Sequence, residues 1–121
     1  MVVLEEAHHF LRRANGEGPG SDLVRQSNIL LADAFAEFRA YGQGILVADQ
    51  APGDLDQAVL RNTNVKIVHR LFQEADVVAM AEAVGLSEDR RAELRRLASG
   101  ECVVFTPSLQ HPVVCRVSAK E

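Results

Sequence analysis

A cationic surplus, a cysteine framework and long apolar runs are all missing from this sequence. Its 13 lysines and arginines are outnumbered by 17 aspartates and glutamates, giving a formal net charge of −4. That balance excludes a surface that attracts nucleic acid as a whole, so any DNA contact must come from a local patch or from other subunits. Two cysteines, Cys102 and Cys115, are too few for a disulfide scaffold and lack metal-ligand spacing. They read as buried or half-buried thiols in a reducing compartment. No run approaches the ~18 apolar residues of a membrane span. Glu5 and Glu6 follow Met1 too soon for a signal peptide. The expectation is a cytoplasmic protein with no membrane partner. No repeat or low-complexity tract interrupts the chain, and 121 residues at 47% hydrophobic content suit one domain with one core.

The apolar pattern alternates between strands and helices. Val2-Val3-Leu4 is a short β-branched run that ends in Glu5-Glu6, as a buried parallel strand would on leaving its sheet. Residues 7–13 suit a short helical stretch, and Asn15-Gly16-Glu17-Gly18-Pro19-Gly20 breaks it. A long helix over 22–41 follows, with Ser21 or Asp22 as its cap. It carries Val24, Leu31, Phe35 and Phe38 on one stripe, with Leu23, Leu30, Ala34 and Tyr41 beside it, and Gly42 ends it. Strand 44–48 closes on Asp49-Gln50. Asp54 suits the cap of a short helix to residue 60. Strand 65–68 ends in His69-Arg70. Helices over 75–84 and 88–98 are bounded by Gly85, Ser87 and Gly100. Runs 102–105 and 113–117 then read as a terminal hairpin or two edge strands.

Strands alternating with helices imply a parallel sheet with right-handed crossovers. In such a sheet Glu5-Glu6, Asp49-Gln50 and His69-Arg70 emerge on the same edge, where ligands of open α/β sheets collect. Two acids, a glutamine and an arginine along one rim make a plausible phosphate-hydrolysis set.

The ordered series is more specific than any of its parts. Val2-Val3-Leu4-Glu5-Glu6-Ala7-His8, then Glu37-Phe38-Arg39-Ala40-Tyr41-Gly42, then Ile45-Leu46-Val47-Ala48-Asp49-Gln50-Ala51-Pro52 resembles the C-terminal half of the HerA/FtsK-type ATPase core. The likeness continues through Asp54-Leu55-Asp56-Gln57-Ala58-Val59-Leu60, Asn62-Thr63-Asn64-Val65-Lys66-Ile67 and Leu97-Ala98-Ser99-Gly100-Glu101-Cys102. It implies a RecA-like parallel sheet with helices on both faces and a C-terminal β-hairpin. It further implies ATP and Mg²⁺ as cofactors, DNA as partner, and a homo-oligomer that is a hexamer when complete.

By resemblance, Glu5 holds Mg²⁺ through its water shell and Glu6 orients or deprotonates the attacking water. Gln50 is the sensor of the γ-phosphate. Arg39 is the finger that reaches a neighbouring subunit's nucleotide, and its place near the end of the long helix should put it at the edge opposite Glu6. His8 and Arg70 are candidate nucleotide contacts, and Arg70 is also a second candidate for the finger.

This sequence departs from the family pattern in ways that matter. It contains no Gly-x-x-x-x-Gly-Lys-Ser/Thr segment, so it has neither the backbone cradle nor the lysine for phosphates. Alone, the chain is expected neither to bind ATP usefully nor to turn it over, and it reads as a fragment of a longer motor. Glu5 stands where aspartate is usual, and Asp49 and Ala51 stand where threonine and arginine are common.

Plainer readings sit beside these. On local sequence alone Glu5-Glu6 suits an acid pair at a helix N-terminus. His8 and His9 lack a third metal ligand at useful spacing. Arg90, Arg91, Arg95 and Arg96, interleaved with acids, suit a solvated helix face better than a DNA contact, and Phe35 and Phe38 suit the core. Two rivals to the motor stay open: a non-catalytic RecA-like assembly module, and a DEAH-box helicase domain, which the Asp49-Gln50-Ala51-Pro52 stretch fits less well.

Overall fold

The computed structural model describes residues 1–14 and 18–118. They form two compact units, Met1–Leu60 and Arg61–Glu121. The first is a β–α–β crossover. β1 (Val2–Glu5) leads through a short 3₁₀ turn (Ala7–His9) to α1 (Pro19–Ala40), which returns to β2 (Ile45–Ala48). The two strands pair in parallel, from Val2 opposite Ile45 to Glu5 opposite Ala48. Alternate side chains point to opposite faces. Val2, Leu4, Ile45 and Val47 are half-buried, whereas Val3 and Leu46 are about half exposed.

Behind the inner face lies a small core of Ala7, Leu11 and Leu55, against which Leu4, Leu31, Phe35 and Val47 pack. The helix contributes less than its pattern suggests. No α1 residue is fully buried, and Leu23, Leu30, Phe38 and Tyr41 are exposed. Phe35 therefore joins the core as expected, and Phe38 does not. A two-stranded sheet is too narrow to cover the wide apolar face of a helix about 33 Å long.

Two helix starts differ from the sequence reading. Gly18, at φ 144°, precedes Pro19 in the first turn of α1, a position where proline's missing N–H is harmless. Pro19 and Gly20 are thus helical rather than loop, and Ser21 lies inside the helix, donating its hydroxyl to the Gly18 carbonyl at 2.7 Å. The rest of the expected loop, residues 15–17, lies outside the described residues. Similarly, Asp54 sits in a 3₁₀ turn (Pro52–Asp54), and the start of α2 (Gln57–Asn62) is capped by Asp56, whose Oδ1 accepts the Ala58 N–H at 2.8 Å.

The second unit is antiparallel. β3 (Lys66–Val68), β4 (Glu101–Phe105) and β5 (Val113–Arg116) form a three-stranded sheet in that order. The terminal hairpin is present, and Cys102 faces Cys115 directly across it. β3, expected beside the first two strands in one parallel sheet, instead pairs with β4. Sequence spacing alone does not distinguish a parallel from an antiparallel neighbour when the strand is three residues long. α3 (Glu74–Val84) ends at Gly85, whose φ of 71° permits the left-handed stop. Leu94, Val77, Val84 and Val103 are the largest fully buried aliphatic side chains of this unit.

The expected helix over 88–98 is broken into a 3₁₀ turn (Glu88–Arg90) and a single turn, α4 (Glu93–Arg96). Three of its four arginines are paired: Arg90 with Glu93 at 2.8 Å, Arg91 with Glu82 at 4.0 Å, and Arg95 with Glu74. Among the described residues no helix is long and apolar enough to cross a membrane.

Leu11 is 1% exposed at the centre of the first core. Leu11→Ala should destabilise the fold by about 2–4 kcal/mol, whereas Leu30→Ala should fall within about 0.5 kcal/mol of wild type. Urea denaturation of both variants checks the contrast.

Candidate active site at the ends of β1 and β2

Because Glu5 lies opposite Ala48, the chain leaves both strands at the same edge, and Glu6 and Asp49 come next on either side. Glu6 adopts φ 50°, ψ 48° and is the one described non-glycine residue with positive φ. That left-handed conformation costs about 1–2 kcal/mol in a residue with a Cβ. Strain of this kind collects where geometry matters for function. The Glu6 carbonyl accepts the His9 N–H at 3.0 Å, closing the 3₁₀ turn. Its side chain meets Gln50, whose Nε2 donates to Glu6 Oε1 at 2.5 Å. The water-activating acid and the sensor glutamine named by the resemblance are in direct contact, 44 residues apart in sequence.

Asp49 holds this arrangement together. Its side chain is 3% exposed, and its Oδ2 accepts the backbone N–H of His8 at 2.6 Å. Its Oδ1 accepts the backbone N–H of Ala51 at 2.7 Å. The His8 ring nitrogen Nδ1 stands 3.0 Å from Oδ2 and 3.1 Å from Oδ1. Burial pushes the Asp49 carboxyl upward, but the Ala51 and His8 N–H donors and the His8 ring together outweigh it and hold the group below its ordinary 3.8. An ionised carboxylate only accepts hydrogen bonds, so Nδ1 of His8 carries the proton in this contact and Nε2 is left free.

The other candidates divide clearly. Glu5 is exposed at the end of β1, and among the described residues its carboxylate has no hydrogen bond or ion pair. An open carboxylate with only oxygen to offer fits a hydrated Mg²⁺. Arg39 is in the last turn of α1, at the other end of the unit. The Met1 amino group donates to Gln43 Oε1 at 2.9 Å and the Val2 N–H to the Gly44 carbonyl at 2.8 Å, so the segment after α1 meets the start of β1. Arg39 therefore lies toward the sheet edge opposite Glu6. Arg70 follows β3 in the second unit, exposed, with its guanidinium 4.9 Å over the Phe72 ring. A place for His69-Arg70 on the same rim requires β3 in the parallel sheet, and β3 pairs antiparallel with β4 instead.

Sequence reasoning missed two things here. Asp49 is expected at the rim and as a departure from threonine, not as an anchor, although an aspartate two residues before an amide in a turn is a familiar local bond. Sequence reasoning also found no third ligand for His8 and His9, yet donor atoms of Glu6, His8 and His9 lie within 4.8 Å of one another. A search by spacing among histidines and cysteines passes over an adjacent glutamate.

No protein-family model matches the chain. Among curated proteins it is 29% identical over 120 residues to a probable helicase of Methanocaldococcus jannaschii, covering 97% of this chain and 21% of that protein. The DNA double-strand break repair helicase HerA of Pyrococcus furiosus is 28% identical over 118 residues, with 97% and 20% covered. HerA of Saccharolobus solfataricus is 27% identical over 122 residues, with 100% and 23% covered. The chain thus spans about a fifth of the length of the curated relatives it matches.

Among solved structures, the genome packaging NTPase B204 of Sulfolobus turreted icosahedral virus 2, in complex with ATP-gammaS, superposes with a TM-score of 0.68 at 13% identity. That match covers 97% of this chain and 52% of the other. The similarity to HerA-type helicases thus runs along nearly the whole chain, and its mixed α/β fold is like that of the matching half of the packaging NTPase.

Asp49 gains stability from being ionised in the folded state, so its contribution is full above the unfolded value of 3.8 and is lost as pH falls through the lower folded value. Asp49→Asn should cost about 1–3 kcal/mol at neutral pH through half-satisfied buried partners. The variant should also lose less stability than wild type on acidification below pH 3.8. Thermal unfolding followed across that range tests both statements.

Proposed function

We propose that this chain, similar to HerA-type helicases, carries the hydrolytic side of the ATP site in a DNA-translocating ring motor. The observation that carries the reading is the contact between Glu6 and Gln50 at one strand edge. Glu6 takes the proton of the attacking water. Gln50 aligns that water and exchanges its bond to Glu6 for one to the γ-phosphate. Glu5 holds the Mg²⁺ hydration shell, and the metal supplies charge neutralisation at the phosphates. His8, fixed through Nδ1, presents Nε2 to the nucleotide side. The phosphate-binding loop comes from outside this sequence.

The bare outer face of the β1–β2 sheet supports this division. Parallel sheets occur almost only with both faces covered, and two strands alone are marginal. Val3 and Leu46 are exposed on that face. Further strands and a covering helix, brought by the rest of a motor, complete it.

Arg39, across the sheet from Glu6, acts in trans on a neighbouring subunit's nucleotide in a hexamer. A finger contributes about 10³–10⁵ in rate, or roughly 4–7 kcal/mol of barrier. Arg70, exposed after β3, is the second arginine of the reading and is tested in the same way.

In the complete protein, Glu6→Gln should retain ATP binding and abolish turnover, and normal hydrolysis by that variant would remove Glu6 from the mechanism. Arg39→Ala should be inactive as a uniform ring and regain part of its activity in rings mixed with Glu6→Gln subunits, which keep the arginine. Failure of every mixture to recover activity counts against action in trans. A non-catalytic assembly module predicts that neither substitution changes ATP turnover.

A further inference from the structure

We propose that Glu6, His8 and His9 form a site for a borderline divalent cation such as Zn²⁺ or Co²⁺, distinct in chemistry from the Mg²⁺ position at Glu5. One donor atom from each of the three lies within 4.8 Å of the other two. Ligands 2.0–2.2 Å from a tetrahedral zinc ion stand about 3.4 Å apart, so closing the set on a cation requires a side-chain shift. That shift falls on side chains with room to move: Glu6 is 44% exposed and His9 is exposed at the surface. The two imidazoles already lie side by side, with ring centres 4.2 Å apart.

The remaining ligand is oriented before any ion arrives. Metal-bound histidines almost always donate their second ring N–H to a carboxylate or carbonyl, which fixes the ring and raises its basicity. His8 does this with Asp49 through Nδ1, at 3.0 Å, and Asp49 is itself fixed by two backbone N–H donors. Nδ1, which stands 3.6 Å from Glu6 Oε2, is held by Asp49, so the nitrogen left to bind a cation is Nε2. The left-handed backbone of Glu6 brings the third donor back over the same 3₁₀ turn. Two imidazoles and one carboxylate favour Zn²⁺, Co²⁺ or Ni²⁺ over Mg²⁺, which requires oxygen ligands and keeps its waters.

The consequence rests on the hydrolytic reading given above. A carboxylate whose charge is taken up by such a cation no longer serves as a base toward water, even while Oε1 keeps its bond to Gln50. Occupation of the site therefore switches hydrolysis off, and the cation acts as an inhibitor rather than a cofactor.

The test is calorimetric titration of ZnCl₂ into this chain in phosphate-free buffer at neutral pH with millimolar Mg²⁺ present. One equivalent should bind. His9→Ala, a change at an exposed position, should weaken binding at least tenfold. Asp49→Asn, removing an orienting partner and not a ligand, should weaken it about 10–100-fold. Repeating the titration with Co²⁺ identifies the ligands, because thiolates of Cys102 or Cys115 would add intense charge-transfer absorption that nitrogen and oxygen ligands do not. No binding below millimolar Zn²⁺, an unchanged affinity in His9→Ala, or a thiolate band with Co²⁺ would each overturn the proposal. Binding is measured without ATP turnover, so a negative result here is separate from failure of Glu6→Gln to block hydrolysis.

Discussion

One buried carboxylate ties the ends of two parallel strands to each other. Asp49 follows β2, and it receives the backbone N–H and ring N–H of His8, which follows β1. It also receives the Ala51 N–H of its own turn. Without these bonds the turns after β1 and β2 would be joined only by the Glu6–Gln50 contact, beyond a strand ladder that ends at Glu5 and Ala48. Glu6 and Gln50 lie just beyond that point. Glu6 precedes His8 by two residues and Gln50 follows Asp49 by one, so fixing His8 to Asp49 sets the Glu6 and Gln50 side chains within hydrogen-bond reach. The left-handed conformation of Glu6 is sustained by the same clamp, since the surrounding bonds determine the turn on both sides.

The energetic picture of the first unit is lopsided. Its fully buried hydrophobic core is small, with Ala7, Leu11 and Leu55 at the centre, and α1 lays only part of its apolar stripe on it. Side chains such as Val3, Leu46, Leu23 and Leu30 remain in contact with water. A buried, ionised, fully bonded group beside a thin core is a costly element unless its geometry is used. In the proposed mechanism its use is to position Glu6 and Gln50, because a small apolar contact would serve stability as well.

How far the sequence reveals this depends on the range of each interaction. The β1–α1–β2 crossover was legible because a β-branched run, a long 3.6-residue pattern and a second apolar run occur in order, and local periodicity reports such elements directly. The Glu6–Gln50 contact was legible for the same reason, since parallel pairing of those two runs places both strand ends together. Arg39 followed from helix direction. β3 was misplaced because its partner, β4, lies more than 30 residues downstream and a three-residue strand carries no mark of the direction of its neighbour. The helix over 88–98 was overextended because its charged residues satisfy helical spacing while the backbone breaks into two short turns. Asp49 stayed hidden for another reason. Its identity as an anchor depends on two amides and an imidazole gathered by the fold, and only the bond to Ala51 is local.

The account stands on Glu6 and Gln50 working as one unit on the attacking water. The most direct measurement is single-turnover ATP hydrolysis by the complete motor carrying Glu6→Gln, Gln50→Ala, or both. If the pair acts together, the double variant should be no slower than Glu6→Gln alone, because residues that act as a unit lose their effect together. If the two losses multiply, each side chain works independently and the contact between them is not the basis of catalysis.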